Sequence, residues 1–216
     1  MNNNLTELVF ILDRSGSMAG LEGDTIGGFN AMVEKQKKEE GDAYLSAVLF
    51  SSDSRVLYDR VDVRKVEPMT ERQYFVGGCT ALLDAIGDAV HHIANVHKYA
   101  REEDRPAKTV FVITTDGMEN ASRRYTYDAV KQLIERQRER YGWEFLFLGA
   151  NMDAVSTARR FGIREDRAVR YECDAVGTAL NFDVVSETIG SVRAGKPIAK
   201  NWKAKIEDDY ARRGRH

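Results

Sequence analysis

Short segments rich in aliphatic and aromatic residues recur along the chain, and their composition is typical of β-strands. Each segment spans five to nine residues, whereas most helices run to about ten residues or more. The pattern therefore predicts six strands, at about residues 7–12, 44–50, 55–63, 109–114, 144–149 and 168–172.

Between these segments, apolar positions recur at spacings of three and four, which is the period of an amphipathic helix. Two of the sets end on a glutamine instead of an apolar residue. The sets are Ile26, Phe29, Val33 and Gln36, then Leu82, Ile86, Val90 and Ile93, then Val130, Leu133, Ile134 and Gln137, and a last helix is predicted at about 174–193. Strands that alternate with helices favour a parallel sheet with helices on both faces.

One connection departs from this alternation. Segments 44–50 and 55–63 are separated only by residues 51–54, which are too few for a crossover helix but suit a hairpin. Segment 55–63 also alternates in part, with Val61 and Val63 on either side of Asp62, as expected of a half-exposed strand. The sequence thus predicts an α/β fold with a mostly parallel, six-stranded sheet and one antiparallel edge strand.

The composition suits one large globular domain. The chain has 216 residues, of which 43% are hydrophobic and 31% are charged. We expect this domain at residues 1–195, because the composition changes from Lys196 onward to seven Lys or Arg against three Asp or Glu, a local charge of +4. Residues 196–216 form either a helix docked around Trp202 and Ile206 or a loosely ordered basic tail, and both alternatives remain open.

Charge and hydropathy limit the kinds of partner. The formal net charge of −2 gives no reason to expect nucleic acid or an anionic membrane as the main partner. No apolar segment approaches the roughly 18–20 residues that span a bilayer, and the first residues lack the pattern of a secretory signal. With only Cys79 and Cys173, whose pairing stays open, we expect a cytoplasmic protein.

Oxygen-bearing side chains follow two of the predicted strands and precede one predicted helix. The three segments are Asp13-Arg14-Ser15-Gly16-Ser17, Gly77-Gly78-Cys79-Thr80 and Thr114-Thr115-Asp116-Gly117. Loops at the carboxyl ends of adjacent parallel strands converge on one crevice, so these segments are expected to meet. Two carboxylates and three hydroxyls are ligands suited to a hard divalent cation.

The spacing of Asp13, Ser15 and Ser17 adds to this expectation. If the loop is extended there, residues two apart point the same way, so one short segment aims three oxygens at one point. An alternative is that these residues only cap a helix or a turn, where such side chains are favoured. The glycine motifs of dinucleotide and phosphate loops and the Gly-x-Ser-x-Gly turn of hydrolases do not occur.

The three segments resemble the metal-ion-dependent adhesion site (MIDAS) of von Willebrand factor A domains, through Asp-x-Ser-x-Ser, Gly-Gly-x-Thr and Thr-Asp-Gly in that order. The resemblance covers about residues 5–193 and implies a Rossmann-like, doubly wound sheet. It implies that Ser15, Ser17 and Thr80 contact the metal through their hydroxyls. It also implies that Asp13 and Asp116 act through water or by hydrogen bonds to those hydroxyls. Mg²⁺ is the implied cation, with Mn²⁺ and Ca²⁺ as alternatives.

The resemblance implies a protein-protein interaction module whose bound metal holds an Asp or Glu of a partner protein. For an intracellular, bacterial-type member, this implies assembly or regulation with a protein partner. One alternative is a metal-dependent hydrolase or phosphoryl-transfer enzyme. We do not expect an enzyme, because Ser15 stands where related phosphatases carry a second Asp and no general base is evident. A second alternative is a metal that only stabilises the fold.

Overall fold

A computed structural model describes residues 1–213 of the chain, and a single six-stranded sheet lies at its centre. The order across the sheet is β3-β2-β1-β4-β5-β6. The strands are β1 (Asn2–Asp13), β2 (Asp42–Phe50), β3 (Ser54–Asp62), β4 (Pro106–Thr115), β5 (Glu144–Ala150) and β6 (Ala168–Tyr171). All six predicted strands are confirmed, and β1 begins five residues earlier than its apolar segment indicated.

Every neighbouring pair in the sheet is parallel except β2 and β3, which form the predicted antiparallel hairpin. The register of this hairpin shifts on both sides of Ala47, and Arg60 of β3 has a φ of 50°. Such irregularities bend an edge strand and make it a poor template for further pairing. The predicted fold class, a mostly parallel sheet with one antiparallel edge strand, is confirmed.

Helices cover both faces of the sheet, as expected for a doubly wound fold. They are α1 (Glu22–Gln36), α2 (Leu82–Tyr99), α3 (Tyr127–Tyr141), α4 (Ala154–Arg160), α5 (Ala175–Arg193) and α6 (Ala204–Arg213). Helices α1, α5 and α6 bury their apolar residues on one face, and α2, α3 and α4 bury theirs on the other. Among residues 1–213, no helix combines the length and apolar character needed to cross a membrane.

Aromatic packing fixes the helices on the first face. The Phe29 ring of α1 meets Phe10 of β1 edge-on, with ring centroids 5.6 Å apart, and meets Phe182 of α5 at 6.4 Å. Gly28 allows this approach, because a Cβ added there would lie 2.3 Å from the Phe182 ring. The contact locks α1 and α5 together beside the strand that ends at Asp13.

The segment after α5 packs against the body of the molecule. Ile198, Trp202 and Ile206 are buried in the same apolar core as α1 and α5. Trp202 Nε1 donates a hydrogen bond to the backbone oxygen of Asp166 at 2.8 Å, and Lys203 Nζ donates to that of Ala168 at 2.8 Å. The segment thereby covers part of edge strand β6. The domain boundary at residue 195 stays a prediction, and residues 214–216 of the expected tail lie outside the described residues.

Replacing Trp202 tests the contribution of this segment to stability. We expect Trp202→Ala to lower the free energy of unfolding by about 3 kcal/mol, because it removes a buried indole and leaves a cavity. Urea unfolding followed by circular dichroism measures the change. Lys200→Ala, at an exposed position of the same segment, is the control. Equal urea midpoints of unfolding for the two variants would show that the segment does not stabilise the fold.

Candidate metal site

The parallel pairing of β1 with β4 sets the position of the candidate site. Leu12 pairs with Thr114, so the two strands end side by side and the next residues, Asp13 and Thr115, lie at the same edge of the sheet. Asp116 follows directly, although 103 residues separate it from Asp13 in the chain. The expectation that the two carboxylates share one end of the sheet is met by this register.

The first segment turns more sharply than expected. Asp13 Oδ1 accepts a hydrogen bond from the Ser15 backbone N–H at 2.7 Å, and Gly16–Met18 then forms one turn of 3-10 helix. The extended backbone that the sequence predicted for this loop, with residues two apart pointing the same way, is therefore found only as far as Ser15. The hydroxyls of Ser15 and Ser17 still meet, with 3.1 Å between their Oγ atoms. The Ser15 side chain makes no capping hydrogen bond to the backbone of this turn. The Asp13 carboxylate does accept one backbone N–H, that of Ser15.

The second segment is held against the first by two backbone hydrogen bonds. Gly77 N–H donates to the oxygen of Arg14 at 2.9 Å, and Gly16 N–H donates to that of Gly78 at 3.1 Å. Gly78 has a φ of 81°, and a Cβ there would lie 2.7 Å from Ser52 Oγ, so a side chain would be both strained and blocked. The loop thus brings Thr80, just before α2, to the end of β1.

The third segment completes the cluster. Asp116 Oδ1 accepts a hydrogen bond from Ser17 Oγ at 2.7 Å. A Cβ added to Gly117 would lie 2.9 Å from Thr80 Oγ1, 3.4 Å from Ser17 Oγ and 3.8 Å from Ser15 Oγ. The three hydroxyls therefore converge on one position in front of Gly117, which is open only because this residue has no side chain. All five residues expected to serve the site come together here.

Asp13 is buried, with 1% of its surface exposed. Burial raises the pKa of its carboxyl group, hydrogen bonds from Thr115 and Ser15 act to lower it, and the nearby Asp116 acts to raise it. Arg14, the next residue, does not neutralise this charge, because its guanidinium pairs with Asp53 at 2.8 Å. Two carboxylates held close together make the cluster electrostatically suited to a cation.

The oxygen ligands present fit a hard cation. Within residues 1–213, the side chains of His, Cys, Asp and Glu do not gather in groups of three or more that could hold a metal. The candidate site therefore depends on the hydroxyls together with the carboxylates of Asp13 and Asp116. A cation held by such a set would keep coordination positions open, unlike one in a closed structural metal site.

Several supporting residues were missed at the level of sequence. Tyr74 Oη donates to the backbone oxygen of Asp13 at 2.5 Å, and Thr115 Oγ1 donates to the Asp13 carboxylate at 2.5 Å. Tyr74 lies in a loop without a periodic pattern, so no local signal pointed to it. Both cysteines are free, and Cys173 Sγ lies 3.8 Å from Asp116 Oδ2. Burial and the Asp116 charge raise the pKa of the Cys173 thiol to about 12.

The loop after Asp116 is tied to the start of α2. Asn120 and Thr80 exchange two hydrogen bonds, of 2.8 and 3.0 Å, and Glu119 Oε2 accepts from the Leu83 N–H at 2.8 Å. Asp84 accepts three backbone N–H bonds of 2.9 to 3.0 Å from residues 123–125. Burial acts to raise the pKa of Asp84, but these N–H donors and Arg124 hold it below its ordinary value. Asp84 thus anchors the loop that carries Gly117.

A mostly parallel sheet with a cluster of oxygen-bearing side chains at its carboxyl edge defines an α/β protein with a candidate cation site. The chain belongs to the von Willebrand factor type A domain family, since the profile of this family matches residues 7–173. This family is known for metal-dependent adhesion and interaction. Curated protein sequences yielded no match to the chain.

Solved structures share the fold. Proximal thread matrix protein 1 from the mussel byssus, in a structure with a zinc-occupied MIDAS motif, superposes with a TM-score of 0.58 at 16% identity. The ArnB paralog VWA2 from Sulfolobus acidocaldarius superposes with a TM-score of 0.53 at 18% identity. A mutant of the PilB minor pilin from Streptococcus sanguinis superposes with a TM-score of 0.58 at 12% identity. These matches cover 86%, 87% and 94% of this chain, respectively.

The chain is shorter than these proteins. It spans 46% of the mussel protein, 45% of the Sulfolobus protein and 63% of the pilin. At such low identity the likeness extends to the fold alone, so the ligands and partners of these proteins are not carried over by it.

Asp84 offers a test of the loop anchor. We expect Asp84→Asn to lower the free energy of unfolding at pH 7 by about 2 kcal/mol, because the amide places a donor against the N–H groups that the carboxylate accepts. Since the pKa of Asp84 is lower in the folded protein, its contribution is present above about pH 3.8 and is lost as the pH falls through the folded value.

Urea titrations at pH 7 and at acid pH measure the difference in free energy of unfolding between wild type and Asp84→Asn. This difference should be smaller at acid pH. Asp88→Asn is the control, because Asp88 forms a surface pair with Arg124 at 2.6 Å and is expected to matter little. If the difference in free energy of unfolding between wild type and Asp84→Asn did not change with pH, the role assigned to the Asp84 carboxylate charge would be contradicted.

Proposed function

We propose that the chain is a divalent-metal-dependent protein-protein interaction module that binds an Asp or Glu side chain of a partner. The observation that carries this proposal is the convergence of the Ser15, Ser17 and Thr80 hydroxyls in front of Gly117. An open position ringed by hydroxyls and backed by two carboxylates is an acceptor for a cation with vacant coordination positions.

In this proposal some residues bind the cation directly and others position those ligands. The hydroxyls of Ser15, Ser17 and Thr80 would hold the cation directly. Asp116 would hold the Ser17 hydroxyl, to which it is bonded at 2.7 Å, and Asp13 would fix the loop through the Ser15 N–H at 2.7 Å. Neutral direct ligands leave much of the cation's charge uncompensated. A divalent cation bound there would supply the positive charge that attracts a partner's carboxylate.

Mg²⁺ is the cation we propose, because the oxygen donors are hard and few, and Mg²⁺ keeps part of its water shell in such sites. Mn²⁺ and Ca²⁺ use similar ligands and remain alternatives. The mussel protein that shares the fold is described with zinc in its MIDAS motif, so direct competition between metals should decide the ion. The two free cysteines support a reducing, cytoplasmic location, and we propose a domain over residues 1–195.

Gly117→Ala tests the cation site without removing a ligand. The added methyl group would occupy the position on which the three hydroxyls converge, so we expect the affinity for Mn²⁺ to fall at least about tenfold while the fold is retained. Electron paramagnetic resonance of Mn²⁺, with Mg²⁺ as competitor, measures the affinity. Gly27→Ala on α1 is the matched control, since its Cβ meets nothing within 4 Å. Unchanged Mn²⁺ affinity in Gly117→Ala would rule out the proposed position.

Thr80→Ala tests recognition itself. We expect the wild type to retain a specific protein from lysate of the source cell in Mg²⁺ and to release it with chelator, and we expect Thr80→Ala to lose it. Thr157→Ala on α4 is the control. A chelator effect on melting temperature without any effect on capture would indicate a structural metal. Turnover of phosphoesters that Asp13→Ala abolishes would support a hydrolase instead.

A further inference from the structure

We propose that the acidic residue of the partner is flanked by apolar side chains, which pack on Phe75, Met118 and Val176, called here the apolar rim. The inference rests on the proposed function and narrows its partner class. The three side chains are 50%, 70% and 61% exposed, respectively. Large apolar side chains exposed around a binding site are a common mark of a protein interface.

Each member of the apolar rim comes from a different segment, two from loops and one from the start of helix α5. Phe75 precedes the Gly77–Thr80 segment, and Met118 directly follows Gly117. Val176 lies in the first turn of α5, three residues after Cys173, which contacts Asp116. Three separate stretches of chain therefore bring apolar surface to the residues of the candidate cation site.

Phe75 is held in place by its neighbours. Tyr74 is buried and donates a hydrogen bond to the backbone oxygen of Asp13 at 2.5 Å, which fixes the chain on one side of Phe75. The Arg14 guanidinium lies 4.9 Å from the centre of the Phe75 ring. An exposed ring that is already positioned loses little conformational freedom when a partner covers it. Phe75 is thus suited to act as a preformed apolar contact.

The charges beside the apolar rim favour a partner with a single acidic residue. Arg14 is buried and already pairs with Asp53 at 2.8 Å. Arg14 is therefore not free to bind a further carboxylate of the partner. The Asp53 side chain is 78% exposed, but because it is paired with Arg14 the two residues add no net charge at this edge. This ion pair gives a strongly acidic segment no extra attraction, whereas one carboxylate on an otherwise apolar segment matches the surface.

Other exposed apolar side chains in residues 1–213 lie elsewhere. Tyr99 and Tyr141 end helices α2 and α3, at the opposite end of the sheet from the cluster, and Val56 lies on edge strand β3. Tyr99 is 78% exposed and therefore provides a control for the loss of a surface aromatic ring.

Selection of short peptides from a phage library with a fixed central Asp tests the inference. Phage are bound in Mg²⁺ and eluted with chelator, and a matched library carries a central Asn. We expect aliphatic and aromatic residues to be enriched on both sides of the Asp. In a direct binding assay, a synthetic peptide with leucines beside the Asp should bind about tenfold more tightly than one with serines.

Phe75→Ser combined with Met118→Ser should reduce this preference to about twofold or less, with Mn²⁺ affinity unchanged. Tyr99→Ser should keep the full preference. Chelator-eluted peptides with polar or charged residues beside the Asp, or a preference that survives the double substitution, would overturn the apolar rim and leave the proposed function standing. Bound Mn²⁺ without enrichment of Asp over Asn would overturn the proposed function as well.

Discussion

The parallel pairing of β1 with β4 is the constraint on which the candidate site depends. Their register sets Leu12 beside Thr114 and so delivers Asp13 and Thr115 to one edge of the sheet. The hydroxyl of Thr115 then donates to the Asp13 carboxylate at 2.5 Å, which joins the ends of the two central strands through side chains. A shift by one residue would turn these side chains to opposite faces and separate them. The apolar cores on both faces hold that register, because Phe10 and Ile11 face opposite sides of β1 and each is fully buried.

Local order in the loops follows from the need to satisfy buried polar groups. Asp13 is deeply buried, and burial raises the pKa of its carboxyl group, so its ionised form is favoured less than it would be in water. The Ser15 N–H and the Thr115 hydroxyl offset part of that cost. The neighbouring Asp116 carboxylate adds to the cost, because like charges repel. Such a cluster is poorly explained by stability alone, and a cation in front of Gly117 would relieve it.

Local patterns account for much of this structure but not for all of it. The apolar segments predicted all six strands, and residues 51–54 predicted the hairpin, because strand length and loop length are local properties. Helix α4 was not predicted, since its seven residues bury only Ala154 and Ala158 and show too little periodicity. The 3-10 turn at Gly16–Met18 depends on hydrogen bonds to distant segments. The role of Asp84 was not predicted, because only the folded loop brings to it the three backbone N–H groups that donate to its carboxylate.

In the proposed function, metal binding and partner choice would depend on different residues. The cluster of Asp13, Ser15, Ser17, Thr80 and Asp116 is tied to strand ends and to helix α2 by hydrogen bonds, so the fold itself preserves it. Phe75, Met118 and Val176 lie at exposed positions, where substitution disturbs little of the buried core. Relatives at 12–18% identity therefore share the sheet without implying the same partner. In the proposed function, specificity would be carried by exposed side chains, because the strand ends and helix α2 of this chain would be occupied in holding the oxygen ligands together.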